Sequence, residues 1–106
     1  MRVHWTDRAK KRLWKIHDYL AKEQGLPTEA RNLVSRLLSS SQKLSEIPKV
    51  GRQVPEYQLR EVRELLERPY RIVYVIKPYQ IDVVTVMHYR QLLSKDLKDI
   101  LNDSAF

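Results

Sequence analysis

The 106-residue sequence has no cysteine, two glycines and a single phenylalanine. Without cysteine there is no disulfide and no thiolate zinc site. With glycine only at Gly25 and Gly51, no glycine-rich loop can cradle a phosphate, and no G-x-S-x-G elbow is present. His4, His17 and His88 are scattered, no two at ligand spacing, and Asp18 and Glu23 do not complete a set, so neither a metal nor any other cofactor is expected. Ser39, Ser40 and Ser41 stand together in a helical stretch beside no obvious base. No apolar run approaches the ~18 residues of a membrane span. The N-terminus carries charge where a signal peptide would be apolar. The expected location is the cytoplasm.

What is present is charge of one sign. The formal net charge is +7, which favours acidic partners such as nucleic acid, an anionic membrane or an acidic protein. Arg2, Arg8, Lys10, Lys11, Arg12 and Lys15 crowd the start of the chain against Asp7 alone. That run is either a binding surface or simply the wet face of a helix. Hydrophobic residues at 42% and charged residues at 31% fit one folded domain rather than a disordered chain.

Val3-His4-Trp5 is β-prone, and Thr6 reads as a helix N-cap with Asp7 in the first turn. Ala9, Leu13, Ile16 and Leu20 then recur at helical spacing, and Gly25 suits a left-handed stop. Pro27 and Thr28 open a second helix, with Ala30, Leu33, Val34, Leu37, Leu38, Ser41 and Leu44 in helical period and Pro48 ending it. Two such helices form an antiparallel hairpin whose apolar stripes need a further layer.

Residues 49–57 read as a loop. Tyr70 to Ile76 is a nearly unbroken β-branched and aromatic run, suggesting a central strand, and Ile81 to Met87 is another, apart from Asp82. Segment 60–66 is assigned as a third strand, because a lone two-stranded ribbon is only marginally stable. Leu97, Ile100 and Leu101 suggest a short C-terminal helix. The expected fold is α+β, in the order β-α-α-β-β-β. The helix hairpin packs on a small, mostly antiparallel sheet, with the domain at 1–93 and a helical tail at 94–106.

Arg63, Arg71 and Arg90 lie on or beside the last three strands, and His88-Tyr89-Arg90 follows the last one directly. A histidine can carry protons near neutral pH, a tyrosine can stack on a base, and an arginine can grip phosphate with two bonds. Three readings stay open: a ribonuclease-like site, a surface for a protein partner, or a plain structural arrangement. In the last, His88 and Tyr89 cap the sheet edge and Arg71 pairs with Glu61 or Glu64.

The order and spacing of several segments resemble the ParE/RelE toxins of type II toxin–antitoxin systems. These are Trp5-Thr6 through Ala9-Lys10, Ile16 to Ala21, Pro48 with Gly51-Arg52, Arg63-Glu64-Leu65, Tyr70 to Tyr74 and Val86 to Arg90. The resemblance is nearer to ParE. It implies a growth-arresting cytoplasmic toxin of the plasmid-stabilising kind, bound in a hetero-oligomer by a cognate antitoxin, ParD-like and acidic. The antitoxin would lie in the groove between hairpin and sheet, touching Leu13, Trp14, His17, Leu37 and Tyr74. ParE-like members act on DNA gyrase without being enzymes, and Arg63, Arg71, His88 and Arg90 would then supply target contacts. RelE-like members cut messenger RNA on the ribosome, and Arg71, His88, Tyr89 and Arg90 would then be the catalytic candidates. The RelE-like lysines fall on Val62 and Glu64, and the C-terminal tyrosine falls near Asp96, so that set is incomplete. The long hairpin and Gly51-Arg52 also favour ParE. A module that binds an antitoxin without being toxic is the third possibility.

Overall fold

The computed structural model describes residues 1–56 and 59–91; the expected C-terminal helix lies outside them. Strand β1 spans Arg2–Trp5, helix α1 Asp7–Asp18, helix α2 Pro27–Gln42, strand β2 Arg52–Gln53, β3 Val62–Glu67, β4 Tyr70–Ile76 and β5 Gln80–His88. The α+β reading stands, and 60–66 is indeed a strand, displaced by one or two residues. The strand order is β1-β5-β4-β3-β2. The last three strands form an antiparallel meander, and β1 closes one edge parallel to β5. The two-residue β2, which pairs with β3, lies within the stretch expected to be loop.

Local chemistry explains the helix ends. The Thr6 hydroxyl accepts the Ala9 N–H at 3.2 Å, satisfying one of the four orphan donors of the first turn. The first arm does not stop at Asp18 but continues through a π-helical turn over Tyr19–Glu23. Gly25 then takes φ 65°, a conformation that costs glycine little, and Pro27 sits in the first turn of α2. The second arm tightens into a 3-10 turn over Lys43–Ser45 before Pro48.

The hairpin buries its stripe against one sheet face. Ala9, Leu13, Leu33, Val34, Leu37 and Leu44 pack on Trp5, Ile72, Tyr74, Ile81, Val83 and Val86. The Trp5 indole N–H is satisfied by the Ser41 hydroxyl at 3.1 Å, and that hydroxyl donates to the Leu38 carbonyl at 2.8 Å. A second cluster occupies the opposite face: Val54, Val62, Val73, Val75, Val84 and Met87. Strands β4 and β5 are therefore apolar on both sides, which is why their sequences do not alternate. A bulge in β5 beside Val73 and Tyr74 shifts the register. It places Val83 and Val86 with the helices and Val84 and Met87 with the opposite cluster, a pattern that strict alternation would not give. Asp82, the exception in the apolar run, is buried but satisfied by Lys77 Nζ at 2.8 Å, Gln80 Nε2 at 2.7 Å and His4 Nδ1 at 3.4 Å.

Candidate functional site

Arg71 points away from the helices, in register with Leu66 on one side and Met87 on the other. Its side chain is only 4% exposed. Both Glu56 oxygens accept from its terminal nitrogens, at 2.7 and 2.9 Å. Glu64 accepts from Nε at 3.1 Å and also from Nη2, while the Gln91 carbonyl accepts from Nη1 at 2.8 Å. Glu56 first, then Glu64, hold the guanidinium above its ordinary pKa against the opposing effect of burial. Arg52 closes the network from the solvent side, reaching the second Glu64 oxygen at 2.9 and 3.0 Å. This arrangement pins the 51–56 segment to the sheet. All five guanidinium N–H donors have acceptors, so none is left for a phosphate.

Arg63 also has a structural task. It lies opposite Tyr74 on the helix-facing side and donates through Nη1 to the Gly51 carbonyl at 2.9 Å. The Tyr74 hydroxyl accepts the Gly51 N–H at 2.9 Å and donates to the Pro48 carbonyl at 2.8 Å. Burial raises the Tyr74 phenol, with the Gly51 N–H acting against it.

The end of β5 is different. His88 stacks on Tyr89 with ring centroids 5.0 Å apart and planes at 24°, and meets Tyr70 edge-on at 6.0 Å. The Arg68 and Arg90 guanidiniums lie 5.9 and 5.6 Å from the Tyr89 ring centre. Such contacts have the cation–π geometry. The Arg90 Nε donates to the Tyr89 hydroxyl at 3.2 Å. A cavity of about 350 Å³ adjoins this rim, lined by Arg12, Lys15, Ile16, Tyr19, Tyr70, Met87, His88 and Gln91. Tyr70 has its phenol raised by burial, with Arg36 opposing the shift.

The outer face of α1 is a second exposed region. Trp14 is 52% exposed and meets His17 edge-on at 5.3 Å. A hollow of about 590 Å³ beside it is lined by Asp7, Lys10, Lys11, Trp14, Lys15 and Asp18. The His17 ring bonds the Asp18 carboxylate at 3.0 Å and so lowers its pKa.

The sequence model of the ParE toxin of the parDE type II toxin–antitoxin system matches residues 3–93. This chain belongs to the ParE toxin family. Y4kP of Sinorhizobium fredii, named as a candidate toxin, is 35% identical over 92 residues, covering 85% of this chain and 90% of that protein. A chain of the chromosomal ParDE system from P. aeruginosa superposes with a TM-score of 0.69 at 26% identity, covering 83% of this chain and 95% of that one.

Measured against this ParE fold, several expectations about the site need correction. Leu13, Leu37 and Tyr74 are core residues and cannot meet an antitoxin without unfolding. Those side chains fill the space between hairpin and sheet, and the hollow between the two lies instead at the end of β5, where Arg12, Ile16 and Tyr19 face Tyr70 and His88. Trp14 and His17 remain as surface candidates. Of the four expected target contacts, Arg71 is enclosed by carboxylates and Arg63 is bound to the Gly51 carbonyl; His88 and Arg90 reach the rim. Arg71 pairs with Glu64, one of the two acids expected, but its other partner is Glu56 rather than Glu61. Nothing in the sequence marks Glu56, which sits in the stretch read as loop. Arg12, Lys15, Tyr19, Arg68 and Tyr70 were also not foreseen at the rim. The signal for two of them was the basic run of α1, since Arg12 and Lys15 lie on the side of the helix that turns toward β5.

Proposed function

We propose that this ParE-family chain is a toxin that inhibits DNA gyrase by binding, without chemistry of its own, and that a cognate acidic antitoxin neutralises it. The observation that carries the non-enzymatic part is the state of Arg71. A nuclease using Arg71 would need that guanidinium turned toward scissile phosphate. Here two carboxylates and a carbonyl hold it, and freeing it would leave the buried Glu64 with only the mostly exposed Arg52 as counter-charge. Val62 and Glu64 also stand where the nuclease relatives carry lysine. The match of residues 3–93 to the ParE branch supports the gyrase target.

The antitoxin's seat on this reading is the outer face of α1, where Trp14 offers an apolar anchor among Lys10, Lys11 and Lys15. Charge complementarity would hasten encounter and set orientation. The deciding experiment is a supercoiling assay with purified toxin and gyrase. Dose-dependent inhibition is expected, with no cleavage of messenger on translating ribosomes. Unaffected gyrase at large toxin excess rejects the reading, and ribosome-dependent cleavage lost in His88→Ala would replace it with the nuclease one.

A further inference from the structure

The cations of this protein fall into two groups. Arg36, Arg52, Arg71 and Lys77 each hold a carboxylate. Arg12, Lys15, Arg68 and Arg90 make no ion pair with any described residue; Arg12 and Lys15 line the cavity beside His88, and Arg68 and Arg90 flank the Tyr89 ring stacked on it at the end of β5. Among the described residues no carboxylate lines that cavity; the nearby Glu67 is taken by Arg36 at 3.2 Å and by the Ser40 hydroxyl at 2.6 Å. Unneutralised cations around aromatic faces are costly to gather, because like charges repel and no acid relieves them. Their natural relief is a polyanion that also carries flat rings.

We infer that this rim binds a single-stranded nucleic-acid segment, with bases against His88 and Tyr89 and phosphates between Arg12, Lys15, Arg68 and Arg90. Sequence-tolerant binding of single strands rests on this combination of aromatic platforms and a basic track. The cavity volume of about 350 Å³ is at the low end of the ~300–1,000 Å³ of small-ligand sites, room for a base rather than for a folded element. Among the described residues its lining sets the aliphatic Ile16 and Met87 beside the rings of Tyr19, Tyr70 and His88. A duplex fits poorly, because its bases are already stacked and offer their faces to no side chain. The inference does not depend on the gyrase reading; it concerns a direct contact that the toxin makes by itself.

The test is fluorescence anisotropy of the purified full chain with labelled oligothymidylate, oligouridylate and a DNA duplex of the same length, without gyrase. Saturable binding of the single strands, tighter than of the duplex, is expected. Preference between the first two tells DNA from RNA as the source. Tyr89→Ala and His88→Ala should each weaken binding about tenfold, while Arg31→Ala on the exposed side of α2 should not. The salt dependence should have a slope of roughly −0.7 for each phosphate held, so about −3 for four cations, and Arg90→Ala should flatten it by about 0.7. Circular dichroism and Tm of each variant separate lost contacts from lost fold, and because Tyr89 and Arg90 are exposed, both variants should fold. Wild-type binding by Tyr89→Ala, equal competition by polyglutamate, or no saturable binding would each overturn the inference. Gyrase inhibition without oligonucleotide binding would do so while leaving the proposed function intact.

Discussion

The Tyr74 hydroxyl accepts the Gly51 backbone N–H at 2.9 Å from inside the sheet–helix core. A Cβ on Gly51 would sit 2.5 Å from that hydroxyl and press against the Glu64 carbonyl. The loop before β3 is therefore moulded onto the sheet by contact, not by its own turn chemistry, and only a residue without a side chain fits.

Gly51→Ala is expected to destabilise the protein by about 3 kcal/mol, the upper end of the ~1–3 kcal/mol typical of overpacking, because the groups in the way are backbone and a buried ring. Thermal unfolding followed by circular dichroism should show Tm falling by on the order of 10 °C. An unchanged Tm would mean the loop swings away freely and is not held as described.

Tyr74→Phe isolates the hydrogen bonds from the packing. The ring is kept, but the Gly51 N–H loses its acceptor and the Pro48 carbonyl its donor. A loss of about 1–3 kcal/mol follows for buried partners left unsatisfied, readable from urea denaturation at constant m-value.

The phenols also set an alkaline limit. Burial raises both Tyr70 and Tyr74 above the ordinary value of 10.0. A group whose folded pKa is raised stays protonated in the native state after the unfolded chain has lost its proton. Its contribution is fully present below pH 10 and is lost as pH rises through the folded value. Unfolding free energy should thus fall above about pH 10, and Tyr74→Phe should make that fall shallower. An equal slope in the variant would show that Tyr74 does not titrate differently in the two states.

Much of this fold was legible because local signals agreed: the Thr6 cap, the stripe from Ala9 to Leu20, Gly25, Pro27 and the run from Tyr70 to Ile76 all point one way. What escaped has physical reasons. The π-helical turn at Tyr19–Glu23 carries no glycine or proline to announce it. Strand β2 is two residues long and exists only through pairing with β3. The bulge in β5 hides in a valine-rich run in which either face is apolar. Of the expected site, His88, Tyr89 and Arg90 do gather at one edge, but hydropathy could not separate Trp14, which is exposed, from Leu13 and Leu37, which are buried.

Arg71 shows how a charge in a central strand can be structure. Arg71→Met would strand the fully buried Glu64 with only Arg52, a mostly exposed side chain, as counter-charge. Breaking a buried pair from one side costs roughly 3–5 kcal/mol, whereas replacing both partners by apolar groups is often near neutral. The double variant Arg71→Met with Glu64→Leu should therefore recover a large part of the loss, and denaturation midpoints of the two singles and the double form the cycle. Simple addition of the two single losses would rule out the coupling.

The proposed antitoxin surface on α1 gives the sharpest separation of binding from folding. Trp14 is exposed, so Trp14→Ala should leave Tm within a few degrees, yet a half-exposed tryptophan amid lysines has the character of an interface anchor. Its loss should weaken antitoxin binding at least about tenfold, or about 1.4 kcal/mol, chiefly through faster dissociation. Lys11→Glu should act otherwise, slowing association and reducing its dependence on salt, since a rim charge steers encounter more than it holds the complex. Leu37→Ala is the control in the opposite direction: its side chain is wholly buried, so it should cost about 2–5 kcal/mol of stability and change antitoxin affinity only in proportion to the fraction unfolded. Surface plasmon resonance against the proposed cognate antitoxin reads all three. Full affinity in Trp14→Ala, with the fold intact, would move the seat of the antitoxin off the outer face of α1.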